Sequence, residues 1–286
     1  MSSTEKANEL LQKADKLATQ KGWFTGPKYD EAGELYEQAS HQFRISRKMR
    51  EAGEAMLKAA QMSVALKDPH DAAQRFITAA KAFKKDYPEQ AIGALSEAVN
   101  ILKADGKFRR AAAQEKEIGE ISEEAMDLER AMRSYEQAGQ WYADEDSTAL
   151  ANGCFLKAAA LAAQLENYIR AIELFEGIAE GSVDNSLTKW SIKDYFLKAA
   201  LCRLAIPDSI GAAEAIKRYK DLDPSFAKTR ECSFVEDILG DIQSSDSQAF
   251  TDHVADFDRV CQLDNWKTTL LLRIKRHIVE VDEDLT

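Results

Sequence analysis

The sequence predicts an all-α protein: a right-handed superhelical sheet of tetratricopeptide-like helical hairpins running into a C-terminal helical bundle, about 14 helices in all. Three observations predict it. Only 5 Pro and 13 Gly interrupt 286 residues rich in Ala, Glu, Lys, Leu and Gln, a composition of good helix formers. Alanines recur at a fixed interval: Ala91, Ala131 and Ala171 are 40 residues apart, and Ala32, Ala72, Ala111 and Ala151 form a second series at 40, 39 and 40. The two series interleave at about 20 residues, one helix of a hairpin, and small residues at such intervals let stacked helices approach closely. Finally, the breaks between periodic segments are short, so neighbouring helices fold back on one another.

Residues 2–20 read as an amphipathic helix behind a Ser/Thr cap, with Ala7, Leu10, Leu11, Ala14, Leu17 and Ala18 on one face. Gly22, Gly26 and Pro27 then break the chain around Trp23 and Phe24, leaving two large aromatics at a loop tip. They either pack back on the first helices or enter a membrane interface. Burying both would contribute about 3 to 6 kcal/mol, comparable to one weak lipid anchor, so one copy would hold a membrane only transiently. Several copies around one anchored partner would add through effective concentration.

From Tyr29 the chain repeats. YDEAGELYEQAS, YPEQAIGALSEAV, LERAMRSYEQAG and YIRAIELFEGIA each open on an aromatic or Leu, reach Ala three or four residues later and return to Ala about seven residues on. Breaks are expected at KDPHD (67–71), KDYPE (85–89), ADGK (104–107), ADEDS (143–147), LEN (165–167) and EGSVDNS (180–186). Residues 1–186 form the sheet of hairpins, and residues 187–286 a bundle continuous with it. In the bundle SLTKWSIKDYFLKAALCRLAI reads as one long helix and PDSIGAAEAIKRYKDL as another, stopped at Asp223-Pro224. Segments 226–242, 247–259 and 262–280 supply three more.

The last of these carries Leu263, Trp266, Leu270, Ile274 and Ile278 at steps of three and four, widened by Leu271 and Leu272. This face should dock. Arg273, Lys275 and Arg276 fall in the expected last turns, where cations suit the helix dipole. The polarity then reverses into Asp282, Glu283, Asp284 and Leu285, which is the form of a frayed solubilising tail or of a presented peptide.

The formal net charge of −11 argues against nucleic acid, but it is uneven: the first 120 residues carry 20 Lys plus Arg against 18 Asp plus Glu, the remaining 166 carry 18 against 31. A basic patch belongs in the first half or on one face, and the acidic end suits a cationic partner. Cys154, Cys202, Cys232 and Cys261 form no CxxC pair and read as reduced thiols. No charge-free apolar window spans a membrane, and the N-terminus lacks the basic start and apolar centre of a signal peptide, so a cytoplasmic protein is expected. No P-loop, dinucleotide fingerprint, nucleophile elbow or HExxH motif is present. His41, His70, His253 and His277 lie far apart, so neither catalysis, nor a metal, nor a cofactor is expected.

What stands out is a set of basic side chains. Lys107, Arg109 and Arg110 open one repeat, Lys157 lies in the next, Lys193 and Lys198 are five residues apart on a later helix, and Arg230 follows. Five residues turn a helix by about 140°, so the last two lysines need not share a face. By themselves these are ordinary solvated cations.

The C-terminal stretch LDNWKTTLLLRIKRHIVEVDEDLT resembles the end of the alpha-type soluble NSF attachment proteins, with their LDxW helix, leucine run, RIK or KIK triplet and acidic end with a penultimate leucine. GKFRRAAA (106–113), SYEQAGQWYADEDSTALANGCFLKAAALAAQLENYIRAI (134–172), WSIKDYFLKAALCRLA (190–205) and FAKTRECSF (226–234) extend the resemblance in the family's order. It implies a vesicle-transport adaptor, peripherally bound to membranes, whose basic concave face grips the acidic SNARE four-helix bundle and whose C-terminus recruits and stimulates the NSF-type ATPase.

Carried over to matching positions, it makes Lys107, Arg109, Arg110, Lys157, Lys193, Lys198 and Arg230 SNARE-binding residues. Trp23 and Phe24 become a short version of the family's membrane loop, and Asp282, Glu283, Asp284 and Leu285 the ATPase contact. There are two departures: the family carries lysine where ANGC has Gly153 and another near Ala113 in RRAAA, which leaves a weaker basic groove unless Arg109 or Arg110 compensates. Two other readings remain. A generic tetratricopeptide-like scaffold binding acidic peptide termini would need a carboxylate-gripping cluster on the inner helices of one groove, and a structural coat component would self-associate.

Overall fold

The computed structural model describes residues 2–20, 27–183 and 189–284, with side chains as far as Ile278; Trp23, Phe24 and Leu285 lie outside the described residues. Fourteen α-helices, two short 3-10 turns and no strand occur among those residues. The helices are α1 (Ser3–Thr19), α2 (Tyr29–Ile45), α3 (Met49–Ala65), α4 (Pro69–Phe83), α5 (Pro88–Ala104), α6 (Phe108–Glu124) and α7 (Leu128–Asp144), followed by α8 (Thr148–Gln164), α9 (Tyr168–Glu180), α10 (Ile192–Leu204), α11 (Ser209–Leu222), α12 (Arg230–Ser244), α13 (Ser247–Val260) and α14 (Asn265–Asp284).

From α2 to α9 the helices begin 20 residues apart, once 19. The fourth residue of each is an alanine: Ala32, Ala52, Ala72, Ala91, Ala111, Ala131, Ala151 and Ala171, all fully or almost fully buried. A methyl at this point admits the neighbouring backbone while keeping high helix propensity. The expected alanine series are therefore contact points.

Most joints share one backbone device. Arg47, Lys67, Gly106, Met126, Asp146 and Glu166 adopt left-handed φ values of 53° to 70°. Each left-handed N–H returns to a carbonyl three residues back, as Arg47 does to Arg44, and the next N–H to a carbonyl five back, as Lys48 does to Phe43. This Schellman closure satisfies carbonyls at one helix end, and its last residue starts the next helix. Asp68, Asp127 and Asn167 cap that next helix by accepting from the N–H groups of Asp71, Arg130 and Arg170. Five of these six residues are not glycine, so the joints at Arg47 and Met126 carried no glycine or proline signal and were absent from the expected breaks. Between α4 and α5 the closure differs, with the Tyr87 N–H reaching Phe83 at 2.8 Å before Pro88 opens the helix.

The chain divides into two compact units, Met1–Cys154 and Phe155–Thr286. In the first, α1 to α7 pack each on the helix before and the helix after. The core runs along these interfaces through Tyr36, Met56, Phe83, Leu95, Leu102, Ile118 and Ile121. Gly53 on α3 is pressed against Phe83: a β-carbon there would stand 2.4 Å from the ring.

In the second unit α10 is central, packing against α9, α11, α12 and α14. It buries Ile192, Phe196, Leu197, Leu201, Cys202 and Leu204 in several directions, as an enclosed helix must. Phe196 stacks on Tyr219 with centroids 4.7 Å apart. Glu176 of α9, only 13% exposed, ties the surrounding helices by accepting from Arg203, Arg218 and the Tyr219 hydroxyl.

Three boundaries differ from expectation. The long helix foreseen over 186–206 begins only at Ile192, behind a 3-10 turn at Lys189–Ser191. Ile192 is 1% exposed and Trp190 86% exposed, so the chain enters the enclosed helix from outside. The helix foreseen from 226 is a 3-10 turn, Phe226–Lys228, then extended Thr229, whose Oγ1 caps α12 by accepting from the Cys232 N–H at 3.2 Å. And α14 continues to Asp284, no glycine or proline intervening, which leaves Arg273, Lys275 and Arg276 mid-helix.

Candidate functional site

In the first unit Lys107, Arg109 and Arg110 sit at the very start of α6. Lys107 is its N-cap residue without a side-chain cap, and no acidic residue occupies the first turn. Lys107 and Arg109 are exposed and Arg110 partly so. Among the described residues no carboxylate pairs with any of the three. Cations at a helix N-terminus oppose the helix dipole, so local stability does not account for them. Some lysines elsewhere in the unit are matched, Lys84 to Glu117 at 3.0 Å and Lys116 to Glu120 at 3.2 Å. Ala113 lies exposed on the same helix.

In the second unit the cations divide. Lys193 donates to Glu231 at 2.7 Å, yet its side chain stays 47% exposed, and Arg230 beside Glu231 is exposed at the start of α12. Lys193 and Arg230 thus share one patch. Lys198 faces inward instead, 24% exposed, paired with Asp194 at 2.8 Å and 6.0 Å from the centroid of the Phe175 ring. Asp194 also lies 3.4 Å from Lys267 of α14, which holds Asp264 at 3.1 Å. Burial opposes the Lys267 charge, but Asp194 and Asp264 outweigh it and raise its pKa. Lys198 therefore belongs to a chain of ion pairs joining α10 to α14. Lys157 is exposed on α8 and already engaged within the protein. Gly153, one turn earlier, is exposed, and a β-carbon there would meet nothing within 4 Å.

Trp190 was hidden in the sequence by the expected long helix. The 3-10 turn presents it 86% exposed between Lys189 and Lys193, an arrangement suited to a protein contact because an exposed indole loses apolar surface to water. The lysines flanking it in KWSIK were the one available signal.

The C-terminal helix docks as its periodicity requires. Leu270, Leu271, Ile274 and Ile278 are buried, while Leu272 is 55% exposed and so does not widen the docked face. The Trp266 ring meets Phe175 edge-on at 5.8 Å. Asp282, Glu283 and Asp284 lie on the final turn of α14, beyond the described side chains, and Leu285 follows outside the described residues.

The remaining reactive groups look structural. Burial raises the pKa of the Cys202 thiol and pushes that of Cys232 up to about 11, leaving poor nucleophiles. His253 Nδ1 lies 2.7 Å from Asp241 Oδ2, bridging α13 to α12. No group of three His, Cys, Asp or Glu among the described residues could hold a metal. No helix there is long and apolar enough to cross a membrane.

Comparison with known proteins supplies a context for this surface. Residues 5–279 match the family model described as soluble NSF attachment protein, SNAP. The probable vesicular-fusion protein sec17 homolog of Schizosaccharomyces pombe is 42% identical over 284 residues, 98% of each chain. The alpha-soluble NSF attachment proteins of Homo sapiens and Saccharomyces cerevisiae are 39% and 35% identical over 286 residues, covering 97 to 98% of each chain.

Proposed function

Because the chain belongs to the soluble NSF attachment protein family, whose relatives here are named for vesicle fusion, we propose that it is a non-enzymatic adaptor linking SNARE complexes to an NSF-type ATPase. The observation that carries this reading is the unpaired cationic start of α6. Lys107, Arg109 and Arg110 oppose their own helix dipole and meet no carboxylate among the described residues, which suits an acidic partner such as a SNARE four-helix bundle. Lys193 and Arg230 offer a second cationic patch and Lys157 a third contact, with Trp190 as an apolar anchor. Lys198 supports this face from inside rather than touching the partner. Binding of this type is fast and salt-sensitive.

The working end is the last turn of α14 and Leu285. Asp282, Glu283 and Asp284 steer a basic ATPase surface, and Leu285 adds an apolar contact of about 1.5 to 3 kcal/mol, about 10- to 100-fold in an equilibrium. Trp23 and Phe24 give shallow membrane contact that becomes useful when several copies surround one anchored complex. ATP hydrolysis by the partner then pulls the bundle apart.

The test is ATPase activity of an NSF-type enzyme with assembled SNARE complex, adding the wild type, Leu285→Ala or the double variant Lys107→Glu, Arg110→Glu. Leu285→Ala should lose stimulation while still binding SNAREs. The charge reversal should lose binding at physiological salt. Equal loss of both activities in Leu285→Ala would refute the division of labour.

A further inference from the structure

We infer that Arg273 and Trp266 form a two-point clamp that fixes the direction in which α14 leaves the second unit, so that both act as positioning residues for the C-terminal contact. This rests on the adaptor reading above. The last carbonyls of a helix lack intrahelical partners, and at the end of α8 two of them receive side chains from α14. Arg273 Nη1 donates to Ala163 O at 3.0 Å and Nη2 to Gln164 O at 3.1 Å. The Tyr168 hydroxyl stands 3.4 Å from Nη1 and Glu166 Oε1 3.6 Å from Nε. A guanidinium placed there also meets the negative end of the α8 dipole. Seven residues earlier on the same face, Trp266 Nε1 donates to Ala160 O at 3.0 Å.

The geometry matters because apolar burial has no direction. Leu270, Leu271, Ile274 and Ile278 hold α14 against the unit but resist sliding or turning only through shape, and the Lys267–Asp194 pair at 3.4 Å ties it at one point on α10. Two hydrogen-bonded points about 10 Å apart along the axis fix both register and tilt. From Arg273 the helix continues eleven residues to Asp284, a rod of about 16 Å. A swing of about 20°, the ordinary scatter of helix packing, would move its end by roughly 6 Å, enough to take Leu285 out of any contact.

The experiment uses the full chain with Cys261→Ser and spin labels on cysteines placed at Ile169, exposed on α9, and at Glu280. Label distances, SNARE affinity and the concentration dependence of ATPase stimulation are compared for the parent, Arg273→Ala, Arg273→Lys and Trp266→Phe. Arg273→Ala should widen the distance distribution and raise the half-maximal concentration about fivefold or more, with the same plateau, because only the correctly aimed fraction binds. SNARE affinity should stay within about twofold. Arg273→Lys should fall between, since one ammonium cannot reproduce the planar fork, and Trp266→Phe should widen the distances while keeping the ring contact.

An unchanged distance distribution would overturn the clamp. So would widened distances with an unchanged half-maximal concentration, or a parallel fall in SNARE affinity. Should Arg273→Ala fail to fold, the lysine and phenylalanine variants decide by the same criteria. If the parent chain itself does not stimulate the ATPase, the adaptor reading falls, and the label distances alone decide the clamp.

Discussion

Gly53 and Gly93 make opposite predictions for one chemical change. An alanine β-carbon at Gly53 would lie 2.4, 2.5 and 2.7 Å from three carbons of the Phe83 ring, and Phe83 is fully buried with no flexible end to swing aside. Overpacking of this kind costs about 1 to 3 kcal/mol, and contacts this short against a buried ring put it at about 2 to 3; less a gain of about 1 kcal/mol from replacing helical glycine, Gly53→Ala should destabilise by about 1 to 2 kcal/mol. At Gly93 the β-carbon meets nothing within 4 Å, and Gly93→Ala should stabilise by up to about 1 kcal/mol. Urea unfolding of the full chain, followed by helical circular dichroism, reads both as midpoint shifts of opposite sign. Adding Phe83→Leu should make Gly53→Ala nearly harmless, a coupling of about 1 kcal/mol or more in a double-mutant cycle. Midpoints that move the same way by the same amount would refute the argument from close approach.

Two further predictions follow from local geometry. At the left-handed joint of Met126, Met126→Gly should stabilise by about 0.5 to 1 kcal/mol, whereas Gly106→Ala should destabilise by about 1 kcal/mol, both read by urea midpoint; opposite signs would sink the assignment of strain. The Asp241 hydrogen bond, working against burial and helped by the charges of Asp241, Asp237 and Asp256, raises the pKa of His253 above 6.5. Its contribution should be complete below that value and be lost as pH rises past the folded pKa. Melting of the parent between about pH 5.5 and 8.5 should therefore lose stability relative to His253→Gln, and a gap that widens with pH would contradict it.

Much of the fold was legible because it is written in short-range periodicity. The alanine series located α2 and α4 to α9 but passed over α3, whose Ala52 neither series includes, and KDPHD and ADGK marked two of the joints. The breaks at Arg47 and Met126 were not legible: a left-handed residue there is held by the closure around it, and neither side chain advertises that conformation. The same holds for Lys189–Ser191, where burial of the following helix sets the angle of entry. For the candidate site, the residues at the start of α6 could be named from sequence, and the lack of acid in their own first turn was legible there too. Pairing was beyond reach elsewhere. Lys198 meets Lys267's partner Asp194, and Trp266 bonds a carbonyl 106 residues away, contacts that only tertiary packing creates.

In the first unit each helix leans chiefly on its two sequence neighbours, and a row of this kind has an end. Helix α1 rests chiefly on α2, with polar ties where Asp15 receives the Tyr36 hydroxyl at 2.6 Å and the Lys58 ammonium at 2.8 Å, and where the Lys28 N–H reaches Leu17 O at 3.1 Å. Releasing it sacrifices one interface, whereas releasing α4 would sacrifice two. Opening of the row is then sequential rather than all-or-none, beginning at α1 and exposing α2 as the new terminus. The least-anchored helix of the row can thus yield locally, while α6, held by α5 on one side and α7 on the other, keeps its cationic first turn in place.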